Sequence, residues 1–168
     1  EAGAAKNYWK IIRALVGENV EGFQGRVRRG AVDPFNMYLN YGYGILYTRI
    51  LNGIMLARLN PALSYLHQPA GYEPTLVYDL IEEYRTAVVD RSIISLVNRR
   101  KKMPAHDGIL ASETRQVIVS AVLNRLHSPV NFRGQELTLG GIIRKQAREV
   151  ARFLRGEVDE YRPYTVKW

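Results

Sequence analysis

The sequence predicts an all-α protein, a single helical domain of about five main helices spanning residues 1–168. Three observations carry that prediction. Apolar residues recur three and four apart in separate stretches, which places them along one side of a helix. Helix-start chemistry precedes several of these stretches, at Asp33-Pro34, Pro74-Thr75 and Ser112-Glu113. Helix-stop chemistry follows others, at Gly17 and at Asn60-Pro61. The length suits one domain with a real core, and a hydrophobic fraction of 46% is that of a globular chain. The sequence holds no internal repeat, low-complexity segment or second domain boundary.

Composition narrows the function classes. The net charge of +8 favours a polyanionic partner, nucleic acid first. There is no Cys, so disulfides and thiolate metal sites are excluded, and a reducing cytoplasm is compatible. No apolar run approaches the roughly 20 residues of a membrane span. The opening residues E-A-G-A-A-K lack the order of a secretory signal and an initiating Met, as expected of a piece of a longer chain.

The first helix covers residues 1–16, with Ala5, Tyr8, Trp9, Ile12 and Leu15 at helical spacing and Glu1 where the dipole favours a carboxylate. Residues 18–32 break the pattern with Gly22, Gly25 and Gly30 among Arg26, Arg28 and Arg29. They read either as a mobile basic loop able to follow a phosphate backbone or as a solvated surface loop. The second helix runs from Asp33-Pro34 through Leu39, Leu46, Ile50, Ile54 and Ala57. Gly42, Gly44 and Gly53 weaken it by roughly 1 kcal/mol each, which close approach of another backbone or a ligand would offset. Tyr38, Tyr41, Tyr43 and Tyr47 read as core packing ahead of base stacking.

The stretch from Leu63 to Asp90 organises the rest. It holds His67, then a helix opened by Pro74 that carries Asp79, Glu82 and Glu83 among apolar residues and continues to about Asn98. Asp79 and Glu82, three apart, share a helical face, and carboxylates crowded by apolar groups need a cation, hydrogen bonds or water. A hard divalent metal held by these oxygens and one imidazole would meet that need. By spacing alone, however, a structural His67 stands ahead of a ligand, and the metal-protease, EF-hand, P-loop and nucleophile-elbow motifs are all missing. His106 and His127 receive no role.

The Arg99-Arg100-Lys101-Lys102 run ends that helix, and Met103-Pro104 with Asp107-Gly108 marks a loop. Ser112 opens a helix carrying Val117, Ile118, Ala121, Val122 and Leu126. Residues 127–137 read as a loop, or a short hairpin at most. The last helix, about 139–156, sets Ile143, Ala147, Val150 and Leu154 against an Arg144, Arg148, Arg152 and Arg155 stripe. That stripe is ordinarily solvated charge, more sharply a docking face. The aromatic tail Y-R-P-Y-T-V-K-W reads as extended and docked.

Four segments, E-A-G-A-A-K-N-Y-W at the start, L-N-Y-G-Y-G-I-L-Y at 39–47, L-N-P-A-L-S-Y-L-H at 59–67 and L-V-Y-D-L-I-E-E-Y-R-T-A-V-V-D-R at 76–91, resemble one family in order. That family is the CRISPR-associated integrase of spacer acquisition, the first of the numbered Cas proteins. The resemblance covers its helical C-terminal catalytic domain; the family's N-terminal β-rich domain, which serves dimerisation, falls outside this sequence. It implies Glu1, His67 and Glu82 as metal ligands for Mg²⁺ or Mn²⁺, with Asp79 a catalytic acid close by. It implies DNA contacts from Arg26, Arg28, Arg29 and Arg85, beside the basic run Arg99, Arg100, Lys101 and Lys102. It further implies endonuclease and integrase chemistry on double-stranded DNA, both prespacer and CRISPR repeat, in a prokaryotic cytoplasm. The implied partners are a second copy of the chain, the small ferredoxin-like second numbered Cas protein, and in some members a fused or associated reverse transcriptase. A related transposon-encoded integrase shares the metal residues, and a non-catalytic DNA-binding subunit of the same fold is the alternative from another class.

Overall fold

A computed structural model describes residues 2–63, 73–106 and 108–166. Glu1 and His67 lie outside the described residues.

The centre is a 23-residue helix, α2 (Pro34–Leu56), about 35 Å long at 1.5 Å per residue. Asp33 caps it by accepting the Asn36 N–H at 2.9 Å, and Pro34 fills the first turn. Leu39, Leu46 and Ile54 along it are wholly buried because other helices pack around it. Its glycines divide. A Cβ on Gly42 would stand 2.7 Å from Cγ1 of Val89, and one on Gly53 would stand 3.3 Å from Cγ2 of Ile143. The nearest approach at both is by a side chain. Gly44 faces open space, so nothing offsets its cost.

Helix α1 (Ala2–Val16) precedes a short 3₁₀ turn at Gly17–Asn19, with Gly17 at φ +50°. Ile12 and Val16 are its buried positions, whereas Leu15, expected inside, is 56% exposed. The inward face is offset by one residue because Trp9 packs edge-on to Phe23, itself 4.6 Å from Phe35 at the start of α2.

The helix expected over 74–98 is divided. Helix α3 (Thr75–Ile81) passes through a turn into a wider π-helical segment (Arg85–Asp90) and then α4 (Arg91–Asn98). The Arg91 N–H reaches back five residues to the Thr86 carbonyl. Four consecutive residues, Ala87 to Asp90, are buried, so protein surrounds this segment on every side.

A two-residue hairpin, β1 (Ala105–His106) with β2 (Ile109–Leu110), stands where a plain loop was expected. Helix α5 (Ser112–His127) follows, then a hairpin of β3 (Pro129–Phe132) and β4 (Gln135–Thr138). Arg133 and Gly134 at its turn both have positive φ, the twist that joins two strands through two residues. Thr138 caps α6 (Leu139–Leu154), whose Ile143, Ala147 and Val150 face the core while Leu154 is half-exposed.

The tail docks as expected. Tyr164 stacks on buried Tyr84 with 5.3 Å between ring centroids, and both oxygens of Glu83 hold the segment. The described residues are therefore mostly helical, with two small hairpins among them. No described helix is long and apolar enough to cross a membrane.

Candidate functional site

Glu82 closes α3 with helical backbone angles, so it stays on the face of Asp79 one turn earlier. Asp79 is buried, whereas the Glu82 side chain is 50% exposed. Hence one carboxylate is embedded and its neighbour opens to solvent. Arg85 Nη2 stands 3.0 Å from Glu82 Oε1 and fixes that oxygen. The stretch bearing His67 has both flanks fastened at the start of α3: Leu76 N–H donates to Pro61 O at 2.9 Å, and Thr75 Oγ1 to Ala62 O at 3.0 Å.

Glu83, adjacent to Glu82, has a different task. It accepts from the Tyr161 hydroxyl at 2.6 Å and from the Tyr164 N–H at 2.8 Å. Burial pushes its carboxyl above the usual range, against the lowering pull of those hydrogen bonds. It anchors the tail.

Behind Glu82 lies a network that the sequence did not single out. Asp90, 2% exposed, accepts from Tyr8 of α1 at 2.6 Å and from Tyr43 of α2. The guanidinium carbons of Arg26 and Arg85 approach the Tyr43 ring centroid at 5.1 and 5.2 Å. Burial raises the Asp90 carboxyl, while the two tyrosines and then the two arginines draw it back down. Asp90 thus gathers the hydroxyls of Tyr8 and Tyr43, with Arg26 and Arg85 over the Tyr43 ring. The signal in the sequence is an acid placed directly after Ala87-Val88-Val89, where periodicity alone does not say whether it is buried.

Arg26 is not the free basic side chain of an open loop. It donates to Asn36 Oδ1 at 2.9 Å and Asn40 Oδ1 at 2.6 Å, and Asn36 also takes the Val27 N–H. Asparagines facing the loop from α2 outcompete solvent for it. Arg28 and Arg29 remain exposed, as do Arg99, Arg100, Lys101 and Lys102. On α6, Arg152 pairs with Glu149 and Glu157, and Arg155 with Glu157, which neutralises that end of the basic stripe.

Asp79 and Glu82 offer hard oxygen donors on one face, a set that suits Mg²⁺ or Mn²⁺. Among the described residues no three His, Asp or Glu side chains gather into a metal-holding group.

This mostly helical arrangement has counterparts among solved structures. A casposase bound to integration product shares the fold with a TM-score of 0.85 and 27% identity, over 98% of this chain and 52% of that one. A Cas1 protein from Thermotoga maritima matches with a TM-score of 0.82 and 26% identity, over 92% of this chain and 50% of the other. The chain belongs to the CRISPR associated protein Cas1 family, whose model matches residues 1–123. It is 34% identical to a CRISPR-associated endonuclease Cas1 of Archaeoglobus fulgidus, over all of this chain and 52% of that protein. A similarly named protein of Francisella tularensis is 36% identical over 87% of this chain and 44% of its own length. The chain spans about half the length of the curated relatives it matches.

Proposed function

We propose that this chain is the catalytic part of a CRISPR spacer integrase, a metal-dependent enzyme that joins captured DNA into a repeat array. The observation that carries this function is the Asp79 and Glu82 pair, one buried and one open, in a chain of the Cas1 family. Glu1, His67 and Glu82 would hold Mg²⁺ or Mn²⁺, with Asp79 beside them. Such an ion, when bound, stabilises charge on a phosphoryl oxygen and favours the deprotonated form of an attacking hydroxyl.

The reaction is a transesterification. The 3′-hydroxyl oxygen of the captured strand forms a new P–O bond. The bond from that phosphorus to the 3′-oxygen of the repeat strand breaks, and the proton of the attacking hydroxyl ends on the departing oxygen. The number of phosphodiesters is unchanged, so no external energy source is needed. Arg85 holds Glu82 in place, and Arg26 secures the loop that presents Arg28 and Arg29. Those two arginines and the Arg99, Arg100, Lys101 and Lys102 run position duplex DNA through its phosphates without reading sequence. The partners are double-stranded DNA, a second copy of the chain and the small ferredoxin-like Cas protein. A linked reverse transcriptase is a further candidate, since one similar structure is a Cas6-RT-Cas1–Cas2 complex that shares the fold.

In the complete, partner-bound protein, His67→Ala and Glu82→Ala should each abolish joining of a labelled duplex to a repeat-bearing plasmid. Binding of the duplex should stay near wild type, because a metal ligand serves the transition state more than the ground state. Full joining activity in both variants refutes the mechanism. A second function is favoured by the likeness to the casposase bound to integration product: the same chemistry on transposon ends. Joining that prefers transposon ends to CRISPR repeats as partner DNA would select it.

A further inference from the structure

Glu82 lies in a turn, between α3, which ends at Ile81, and the π-helical segment that begins at Arg85. The Tyr84 N–H donates to the Ile81 carbonyl at 3.0 Å, so the α-helical ladder gives way here. Where one helix type passes into another, the backbone can adjust, and its pose depends on what its side chains grip. Glu82 opens to solvent and pairs with Arg85. Its two successors, Glu83 and Tyr84, grip the C-terminal tail.

That tail is itself held from several elements. Gly156, at φ +71°, follows α6, and residues 157–160 are mostly exposed before the chain docks again. The Tyr161 hydroxyl donates to Glu83 Oε1 at 2.6 Å and the Tyr164 N–H to Glu83 Oε2 at 2.8 Å, so both carboxylate oxygens are engaged. The Tyr164 ring lies nearly parallel to that of Tyr84, at 4°, with Tyr84 buried beneath it. Gln146 of α6 donates to the Arg162 carbonyl at 2.8 Å and to the Tyr161 hydroxyl oxygen at 3.2 Å. Arg133, in the turn between β3 and β4, donates to the same carbonyl at 2.7 Å. The tail is thus fixed to α6 and to the hairpin, and the turn bearing Glu82 is fixed to the tail. Residues 157–166 lie beyond the stretch that the family model matches.

We propose that the docked tail positions Glu82 for the reaction, with Tyr161 as the positioning residue. Tyr161 acts through Glu83, the next residue after Glu82 in the chain. Glu83 and Tyr84 anchored on the tail, together with Arg85 on the carboxylate itself, restrict Glu82 to few poses. Without the Tyr161 hydroxyl, Glu83 Oε1 loses its donor and turns toward water, and the backbone of 82–84 follows it. A hard divalent ion needs its oxygens at set distances, so slack in this turn lowers affinity for the ion. Duplex binding, which uses arginines and lysines on other segments, is left alone. The proposal rests on the integrase reading in taking Glu82 as a metal ligand.

The test compares Tyr161→Phe, Glu82→Ala and wild type in the complete protein. Tyr161→Phe keeps the ring, the Tyr164 stack and the bond from Gln146 to Arg162, so the fold should persist; circular dichroism verifies it. Mn²⁺ binding is followed by electron paramagnetic resonance, and the component absent from Glu82→Ala reports the site. Removing an outer hydrogen-bond partner weakens metal binding by about 10-fold or more, so Tyr161→Phe should need about 10-fold more Mn²⁺ to half-fill that component. Hydrogen exchange at the Glu83 and Tyr84 amides should also speed up. Strand joining by Tyr161→Phe should be slow at limiting Mn²⁺ and return toward wild type at saturating Mn²⁺, with duplex affinity unchanged. Glu82→Ala should not recover. A Tyr161→Phe protein that is less stable yet fills with Mn²⁺ as wild type does overturns the proposal, makes the tail a structural support and leaves the integrase reading standing. Joining that is lost in Tyr161→Phe and not restored by Mn²⁺ overturns it as well. Identical Mn²⁺ binding by Glu82→Ala and wild type overturns both readings, because Glu82 then holds no ion.

Discussion

Replacing Asp90 with Ala removes the acceptor shared by Tyr8 and Tyr43. A hydrogen bond to a charged group nets about 1.5–3 kcal/mol, so two give about 3–6 kcal/mol. Part of this is already cancelled in the wild type, because burial raises the Asp90 pKa and so disfavours the charged form. A net loss of about 3 kcal/mol is expected. For a chain of this length that lowers Tm by about 6–12 °C in thermal unfolding followed by circular dichroism. Asp90→Asn keeps an acceptor for one hydroxyl and offers a donor to the other, so it should cost less than about 1 kcal/mol. The pH dependence follows from the direction of the shift. With the folded pKa above the unfolded one, the native state binds more protons between the two values, and stability falls as pH rises through that window. Wild type should therefore gain on Asp90→Asn as pH drops from the raised value toward about 4. An Asp90→Ala protein unfolding within about 2 °C of wild type would show that the network carries no appreciable stability.

Four further outcomes are expected. Gly42→Ala sets a Cβ 2.7 Å from Val89 Cγ1 and should destabilise by about 1–3 kcal/mol, whereas Gly44→Ala, facing open space, should stabilise by up to about 1 kcal/mol; denaturant midpoints compare them. Glu83→Ala should speed hydrogen exchange at the Tyr164 amide, which donates to Glu83 at 2.8 Å, while leaving exchange along α2 unchanged. Because the Glu83 pKa is raised by burial, its Gln variant should also remove a component of stability that wild type gains as pH falls through the window above about 4.3. Arg85→Lys loses the planar fork that pairs with Glu82 and lies over the Tyr43 ring, and should lower the joining rate more than duplex affinity in parallel assays.

What the structure contributes to the candidate site is a division of labour among neighbouring acids. Asp79, Glu82, Glu83 and Asp90 lie within twelve residues, yet one is embedded, one opens to solvent, one ties down the tail and one collects two tyrosines. Glu82 and Glu83 are chemically the same and adjacent. A rotation of about 100° per residue sends them to different surroundings. The Glu83 role was open to sequence reasoning only through the docked aromatic tail, whose partner no local rule identifies.

Local chemistry determined most of the secondary structure. Asp33-Pro34, Gly17 and the apolar spacing within α2, α5 and α6 act through neighbours a few residues away, and the helices stand where those signals put them. The acid pair was legible for the same reason, since residues three apart on a helix must share a face. The inward face of α1, the wide turn at 85–90, the capture of Arg26 and the choice of Asp90 as a buried acid were settled only by tertiary structure. Each depends on groups far apart in the chain. Tyr8 and Asp90 are separated by 82 residues, and Arg26 and Asn40 by 14. Whether a carboxylate or guanidinium is buried turns on finding partners that repay its lost hydration, and those partners become neighbours only once the helices have packed.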